Sequence, residues 1–177
     1  EQSLPARKRI SIITSTQSVT RVHQRRNKLV EDLQRAPIGR HLDVYGFGRR
    51  PVQDKWNILR ESRFHLALEN CAIPGYFSEK LTDPLLAWVL PAYWGDPIVS
   101  DVFDSRSIEL VSKLKLRTVT DSLARLLDTS VSDETIRSLA ENRRLALWRA
   151  SFWYHLSTLP QPVRKDSAVT IYPISYF

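Results

Sequence analysis

Short apolar runs alternate along this chain with longer segments in which apolar residues recur every three or four positions. The runs are typical of buried β-strands, and the spacing of three and four is typical of helices with one buried side. The pattern predicts five strands, at residues 10–14, 41–45, 64–68, 91–94 and 106–111. It predicts helices at 22–33, at 54–62, over about ten residues after the loop 69–76, and in two later segments marked by 123–127 and 136–147.

Strands that alternate with helices indicate βαβ units, in which right-handed crossovers join parallel strands. Helices cover both faces of a sheet built in this way. We therefore expect an α/β fold, a Rossmann-like domain with a mostly parallel sheet and helices on both faces. Residues 1–8 are expected to be a basic lead-in, 9–150 the domain and 151–177 a C-terminal extension, which is extended from Pro160 onward.

The helix after the 69–76 loop contains a proline. Its apolar side is expected to comprise Leu81, Leu85, Trp88 and Val89. Ser78 is a suitable N-cap, but Pro84 then falls in the helix interior, where a proline costs ~3 kcal/mol. The helix is therefore expected either to kink, or to restart with Asp83 as N-cap and Pro84 in its first position.

Length and composition indicate an ordinary soluble segment. The 177 residues suffice for one domain with a substantial core. A single cysteine, Cys71, excludes an internal disulfide framework and a cysteine-rich zinc site. Methionine is absent, so we expect the sequence to begin inside a longer polypeptide or after processing. No apolar run approaches the ~20 residues that span a bilayer, and no signal peptide is visible.

The net charge of +7 is concentrated near the N-terminus. Residues 1–60 hold thirteen basic and five acidic side chains, a net of +8. A basic third of this kind suits nucleic acid, an anionic membrane surface or a phosphorylated ligand, and it is equally typical of a solvated face. No nucleic-acid-binding motif is present, so we expect no nucleic-acid partner, whereas the membrane surface stays open.

Candidate ligand-binding residues follow the third predicted strand. Loops at the carboxyl ends of parallel strands commonly contact ligands, and Asn70 stands in such a position. Farther on, Glu79 and Lys80 open a helix: Lys80 can neutralise a pyrophosphate, Glu79 can accept sugar or ribose hydroxyls, and free N–H groups of the first turn can face a phosphate. Tyr76 can stack on a base or bond a phosphate. The alternatives to ligand binding are that Asn70 is a loop amide bonded to its own backbone, and that Glu79 and Lys80 are an exposed Glu-Lys pair of a kind common on protein surfaces.

Other polar residues are weaker candidates. Arg25 and Arg26 lie early in the first helix near the same sheet edge, and one of them is expected to be a surface residue without a role in binding. His65 lies in an apolar strand and is expected to be a satisfied core or rim residue. The sequence 46–48 is a G-x-G that we interpret as a turn. The sequence has no Asp-x-Asp, no P-loop, and no metal-ligand spacing among its four histidines.

Several motifs occur in an order that resembles one enzyme family. The segments are FHLALEN at 64–70, GYFSEKL at 75–81 and LPAYWG at 90–95, preceded by QRRN at 24–27 and followed by WR at 148–149. Together they resemble the donor-binding region of the α-1,3/4-fucosyltransferases, glycosyltransferase family 10. That family carries F-x-L-x-F-E-N, Y-[VI]-T-E-K and P-[VI]-x-x-G at comparable spacing.

The resemblance implies the C-terminal, donor-binding half of a GT-B architecture. It implies GDP-fucose as donor substrate, an inverting transfer to a glycan hydroxyl, and no metal or other cofactor. By position, Arg26 and Lys80 would contact the pyrophosphate, Glu79 would hold ribose or sugar hydroxyls, Tyr76 would line the phosphate pocket and Asn70 would support the ribose–phosphate region. The location implied is cytoplasmic or membrane-peripheral for a bacterial protein and the Golgi lumen for a eukaryotic one.

The catalytic residues are not assigned by the resemblance. The family's proposed general base lies in an N-terminal acceptor domain, and nine residues precede the first predicted strand. A base must lie within hydrogen-bond reach of the acceptor hydroxyl, so this chain alone can be expected to bind donor without transferring sugar. The alternative is a non-catalytic module, derived from a glycosyltransferase, that binds a nucleotide sugar or a partner protein.

Overall fold

The computed structural model describes residues 9–148, and within them five parallel strands form one sheet. The strands are β1 (Ile10–Ile13), β2 (Leu42–Tyr45), β3 (Phe64–Leu68), β4 (Leu90–Trp94) and β5 (Glu109–Leu110). The helices are α1 (Arg21–Arg35), α2 (Lys55–Arg60), α3 (Glu79–Leu86), α4 (Leu116–Asp128) and α5 (Asp133–Trp148). Short 3₁₀ helices occupy Pro37–His41, Val99–Asp101 and Ser105–Ser107.

The strand order is β2-β1-β3-β4-β5, and every pair of neighbours is parallel. From β1 the chain passes first to one edge and then back across the sheet. Right-handed crossovers therefore place α1 on one face and α2 and α3 on the other. Contacts between α1 and α4, and between α3 and α5, assign the last two helices to these same two layers. The Rossmann-like fold with helices on both faces is confirmed, and the sheet is parallel throughout.

The central strands are apolar on both sides because helices cover both faces. Every residue of β3 is buried, and so are four of the five residues of β4. The core residues contributed by the two helix layers include Leu29, Val30 and Leu33 from α1, Leu81 and Leu85 from α3, and Val119 and Leu123 from α4. The apolar spacing in the sequence therefore predicted the correct buried side for each of these helices.

Helix α3 ends earlier than its apolar pattern predicts. Its last residue is Leu86, so Trp88 and Val89 lie beyond the helix instead of on its apolar side. Trp88 has φ of 61°, a left-handed conformation that an α-helix cannot contain. The chain turns there so that β4 can begin at Leu90, one residue before its predicted start.

Of the two alternatives expected for this helix, the restart at Pro84 is wrong, because one helix runs through Pro84. Ser78 is the N-cap, its hydroxyl accepting from the backbone N–H of Lys80, and Pro84 lies in the helix interior. The predicted N-cap of the restart, Asp83, is instead a helical residue whose carboxylate pairs with Lys55 of α2. The helix therefore begins where Ser78 caps it, and Pro84 is accommodated in its interior although proline favours the first turn of a helix.

Most other predicted bounds differ by one or two residues. The largest difference is the fifth strand, which is two residues long, because Ser105–Ser107 forms a 3₁₀ helix where the sequence predicted strand. Residues 46–48 form the predicted turn, with positive φ at Gly46 and Gly48. Ser132 caps α5 as predicted, since its hydroxyl accepts from the N–H of Thr135. The predicted lead-in and C-terminal extension, 1–8 and 151–177, lie outside the described residues.

Candidate functional site

Polar side chains gather at the edge of the sheet where β1, β3 and β4 end. Because the strands are parallel, their carboxyl ends lie side by side, and the loop after β3 crosses this edge before α3 begins. Helix α1 begins at the same edge after β1. The predicted placement of Arg26, Asn70, Glu79 and Lys80 near one sheet edge therefore follows from the topology.

The centre of this edge is a buried carboxylate, Glu69, with no exposed surface. Its Oε1 accepts from the backbone N–H of Ser78 at 2.8 Å, and the Ser78 hydroxyl lies 2.9 and 2.8 Å from the two carboxylate oxygens. The ammonium group of Lys80 is 3.9 Å from Oε2. Burying a carboxylate is costly unless it is paired and hydrogen-bonded, and these contacts supply both. Glu69 thereby fixes the start of α3 against the end of β3.

The first turn of α3 has fewer free N–H groups than predicted. The N–H of Ser78 donates to Glu69, and the N–H of Lys80 donates to the Ser78 hydroxyl. Negative charge at this positive helix end is therefore already supplied by a protein carboxylate. Binding of a phosphate at this edge therefore depends more on cationic side chains than on the N–H groups of the helix terminus.

Glu79 and Lys80 are adjacent and bonded to each other. Lys80 Nζ donates to Glu79 Oε1 at 2.9 Å. The side chain of Lys80 is 26% exposed and that of Glu79 is 57% exposed. Partial burial acts to raise the pKa of Glu79, but the hydrogen bond and charge of Lys80, with the charge of Lys55, outweigh it and lower that pKa. Glu79 is thus ionised, and both side chains are reachable from solvent, as a role in binding requires.

Arg26 and Asn70 form the other half of the site. Arg26 is 5% exposed, and its Nη1 donates to Asn70 Oδ1, joining α1 to the loop after β3. Burial lowers the pKa of Arg26, the nearby Arg49 lowers it further, and Glu69 acts in the opposite direction. Its Nε is buried without a hydrogen-bond partner among the described residues. A buried guanidinium with an unpaired N–H beside a second guanidinium is an arrangement that an anion would stabilise.

Tyr76 and Arg25 are set apart from this group. Tyr76 is 43% exposed in the loop after β3, and within the described part of the chain its side chain makes no hydrogen bond to the other predicted site residues. Arg25 is exposed on α1, as expected for the surface member of its pair. His65 is 4% exposed and its Nδ1 lies 2.9 Å from the Ser11 hydroxyl, so the prediction of a satisfied core residue is confirmed.

Two residues with a role at this edge were not assigned one from the sequence. Glu69 directly precedes Asn70, and a carboxylate directly after a predicted buried strand is itself a signal that a buried partner exists. Arg49 lies in the turn after β2 and acts electrostatically on Arg26. Its sequence context, a pair of arginines after a G-x-G, gave no indication of this proximity.

Several cations of the basic N-terminal third have protein partners. Arg9 pairs with Asp43, Lys28 with Asp32 and Lys55 with Asp83. These pairs reduce the free positive charge available to a surface, and association with an anionic membrane stays a prediction. Between residues 9 and 148 no helix is long and apolar enough to cross a membrane, and no three His, Cys, Asp or Glu side chains are grouped as a metal site.

Comparison with protein families gives a match over most of the chain. The family model for the C-terminal part of glycosyltransferase family 10 (fucosyltransferase) matches residues 5–133. A putative fucosyltransferase of Acanthamoeba polyphaga mimivirus is 36% identical over 80 residues, covering 45% of this chain and 13% of that protein. The α-(1,3)-fucosyltransferase FucT of Helicobacter pylori is 34% identical over 64 residues, covering 36% of this chain and 13% of that protein.

A solved structure shows the same fold. The crystal structure of an α1,3-fucosyltransferase with GDP-fucose aligns with a TM-score of 0.59 at 22% identity, over 78% of this chain and 40% of that one. The chain therefore spans well under half the length of the proteins that it matches.

Proposed function

The chain belongs to glycosyltransferase family 10, the fucosyltransferases, and from this we propose that the carboxyl edge of its sheet binds the GDP-fucose donor of a fucosyl transfer. The observation that carries the proposal is that two groups meet at this edge: Arg26 bonded to Asn70, and Lys80 paired with Glu69 and Glu79. Two cations from different elements, α1 and α3, frame the space where a diphosphate would lie.

The two cations suit different parts of a diphosphate. Arg26 is held by Asn70 and keeps donors for a second, anionic partner. Lys80 has three N–H donors and a compact charge, and it lies beside the carboxylates of Glu69 and Glu79. We propose that Arg26 and Lys80 contact the two phosphates, and that these contacts stabilise the charge on GDP as the bond to the sugar breaks.

The remaining predicted roles complete the proposed donor site. Glu79, ionised and 57% exposed, accepts hydrogen bonds from ribose or sugar hydroxyls. Asn70 supports the ribose–phosphate region through its contact with Arg26, and Tyr76 joins the phosphate pocket from its exposed loop when donor is bound. The transfer proposed for the whole enzyme inverts the anomeric carbon, uses no metal and delivers the sugar to a glycan hydroxyl. Its general base is expected outside this chain.

Isothermal titration calorimetry with GDP tests this proposal. The 177-residue chain should bind GDP, and Lys80→Ala should weaken binding by tenfold or more, because it removes a phosphate contact of at least ~1.4 kcal/mol. Arg60→Ala is the matched control, since Arg60 is exposed at the end of α2, next to the opposite, amino end of β3. Absence of GDP binding, or equal losses in the two variants, would contradict the proposal.

A second candidate is a module that binds nucleotide sugar without transfer. It is favoured by the 40% share of the solved fucosyltransferase that this chain covers, since an acceptor site and a base need further structure. Release of GDP from GDP-fucose, measured with the chain alone and an oligosaccharide acceptor, tests this second candidate. Acceptor-dependent release above the rate in buffer excludes the non-catalytic module.

A further inference from the structure

We propose that the loop 15–20 and the turn 46–50 form a surface that lies on an anionic lipid bilayer, with Val19 and Phe47 inserted among the lipids. Val19 is 83% exposed and Phe47 is 74% exposed, the two highest values among the large apolar side chains that the structure describes. We call these two segments the basic loop surface. The inference goes beyond the proposed donor site and does not depend on it.

The two exposed side chains belong to neighbouring segments of the fold. The loop follows β1 and the turn follows β2, and these two strands pair in the sheet. The backbone N–H of Thr16 donates to the carbonyl oxygen of Phe47 at 3.0 Å, and the Thr16 hydroxyl donates to the same oxygen at 3.2 Å. A Cβ at Gly48 would lie 2.2 Å from the Thr16 hydroxyl, so the turn packs closely against the loop. Val19 and Phe47 therefore lie on one surface.

The loop is also fixed to α1. The side chain of Asn27 is buried, and its Nδ2 donates to the carbonyl oxygens of Thr16 at 2.9 Å and Gln17 at 3.1 Å and to the hydroxyl of Ser18 at 3.2 Å. Val19 follows directly after these three residues. Because these bonds hold the loop in its exposed conformation, insertion does not require the backbone to become ordered first.

The charge of this surface is positive. Residues 10–30 and 44–53 contain no aspartate or glutamate. Arg21 and Arg25 of α1 and Arg50 of the turn are exposed, and among the described residues none of them forms a salt bridge. Arg50 instead lies over the ring of Tyr45, 4.9 Å from its centroid. Their charges are therefore available to an anionic partner.

The acidic residues that flank these segments do not reverse the charge. Glu31 is ten residues after Arg21, which is about 15 Å along α1. Asp32 pairs with Lys28, and Asp54 accepts from the backbone N–H of Trp56 at the start of α2. The basic loop surface thus keeps a net positive charge.

Exposed apolar side chains beside arginines without acidic partners suit an anionic bilayer. Anionic headgroups attract the arginines, and the apolar side chains gain free energy when they leave water for the acyl boundary. A protein partner would favour a continuous apolar patch, whereas here the polar residues 15–18 and 20 separate the apolar ones. Nucleic acid would use the arginines but would leave Val19 in water.

Co-sedimentation with vesicles tests the inference. The 177-residue chain should bind vesicles of phosphatidylcholine with ~30% phosphatidylserine more tightly than vesicles of phosphatidylcholine alone, and added salt should weaken the binding by screening the charges. Phe47→Ser should weaken binding about tenfold, because it removes an inserted aromatic ring. Arg21→Gln should weaken it about fivefold, because it removes one charge near the headgroups.

Two variants make the same kinds of change away from the basic loop surface. Ile136→Ser alters a side chain of α5 that is 38% exposed, close to the pair formed by Glu134 and Arg106. Arg60→Gln alters an exposed arginine at the end of α2, next to the amino end of β3. Both should bind vesicles as the wild type does. Circular dichroism and the melting temperature show whether each variant is folded.

The outcomes separate this surface from general charge attraction. If the chain does not bind phosphatidylserine vesicles, the inference is overturned and the surface is left to a protein partner. Equal weakening by Phe47→Ser and Ile136→Ser, or by Arg21→Gln and Arg60→Gln, would show that no defined surface contacts the lipids and would also overturn it. Binding of GDP is measured separately, so its absence contradicts the proposed function and leaves this inference standing.

Discussion

The carboxylate of Glu69 accepts hydrogen bonds from both the backbone N–H and the hydroxyl of Ser78, so that the end of β3 is joined directly to the start of α3. This contact sets the position of the two residues that follow Ser78, Glu79 and Lys80. It also explains why α3 begins at Glu79 with Ser78 as its N-cap, since a restart at Pro84 would leave the buried carboxylate without its partner.

Replacing Glu69 should therefore destabilise the fold as well as the site. Glu69→Gln removes the negative charge that the N–H of Ser78 and the ammonium group of Lys80 both contact. Hydrogen bonds to charged groups contribute about 1.5–3 kcal/mol each, so we expect the free energy of unfolding to fall by ~2–4 kcal/mol in urea titration. Glu31→Gln, at an exposed position of α1, is the control and should change it by less than ~0.5 kcal/mol. Equal effects at the two positions would show that the buried contact contributes nothing.

Gly95 should be intolerant of any side chain. A Cβ at this position would lie 2.3 Å from Tyr93 Oη and 2.5 Å from Glu69 Cγ, and the Tyr93 hydroxyl is itself bonded to the N–H of Asp96. Gly95→Ala must therefore displace Glu69, and overpacking of this kind costs about 1–3 kcal/mol. We expect a lower urea midpoint together with weaker GDP binding. An alanine variant with wild-type stability and affinity would contradict the close approach.

The buried His65 should make stability depend on pH. Its pKa is about 3 in the folded chain, against 6.5 in the unfolded chain. The unfolded state therefore binds the extra proton between these values, and stability is fully present above pH 6.5 and falls as the pH decreases toward 3. His65→Asn removes this titration. We expect the unfolding free energy of the wild type to fall more steeply than that of the variant, by up to ~1.4 kcal/mol per pH unit between pH 6 and 4. Parallel profiles would contradict a neutral, buried imidazole.

The predictable part of the fold is the part determined by local apolar pattern. The bounds predicted for β3 match the structure because four of its five residues are apolar and the whole run is buried. The alternation of strands and helices along the chain then predicts the parallel sheet. The end of α3 was not predictable in this way. Trp88 and Val89 continue the apolar spacing, but the left-handed backbone at Trp88 depends on how the chain must turn to enter β4.

The site was predictable where position along the chain is sufficient. Asn70, Glu79 and Lys80 follow β3, and Arg26 lies in the second turn of α1, which follows β1, so the topology alone brings them to one edge. The central role of Glu69 depends instead on the loop after β3 folding back, nine residues later, onto the strand end that it left. The spacing of residues in the sequence does not show that Ser78 contacts Glu69.

A crystal structure of the 177-residue chain with GDP tests the central claim most directly. We predict the diphosphate at the carboxyl edge of the sheet, with phosphate oxygens within hydrogen-bond distance of Lys80 Nζ and the Arg26 guanidinium, and with Glu69 still bonded to Ser78. GDP bound at another surface, or at this edge without contact to either cation, would contradict the claim.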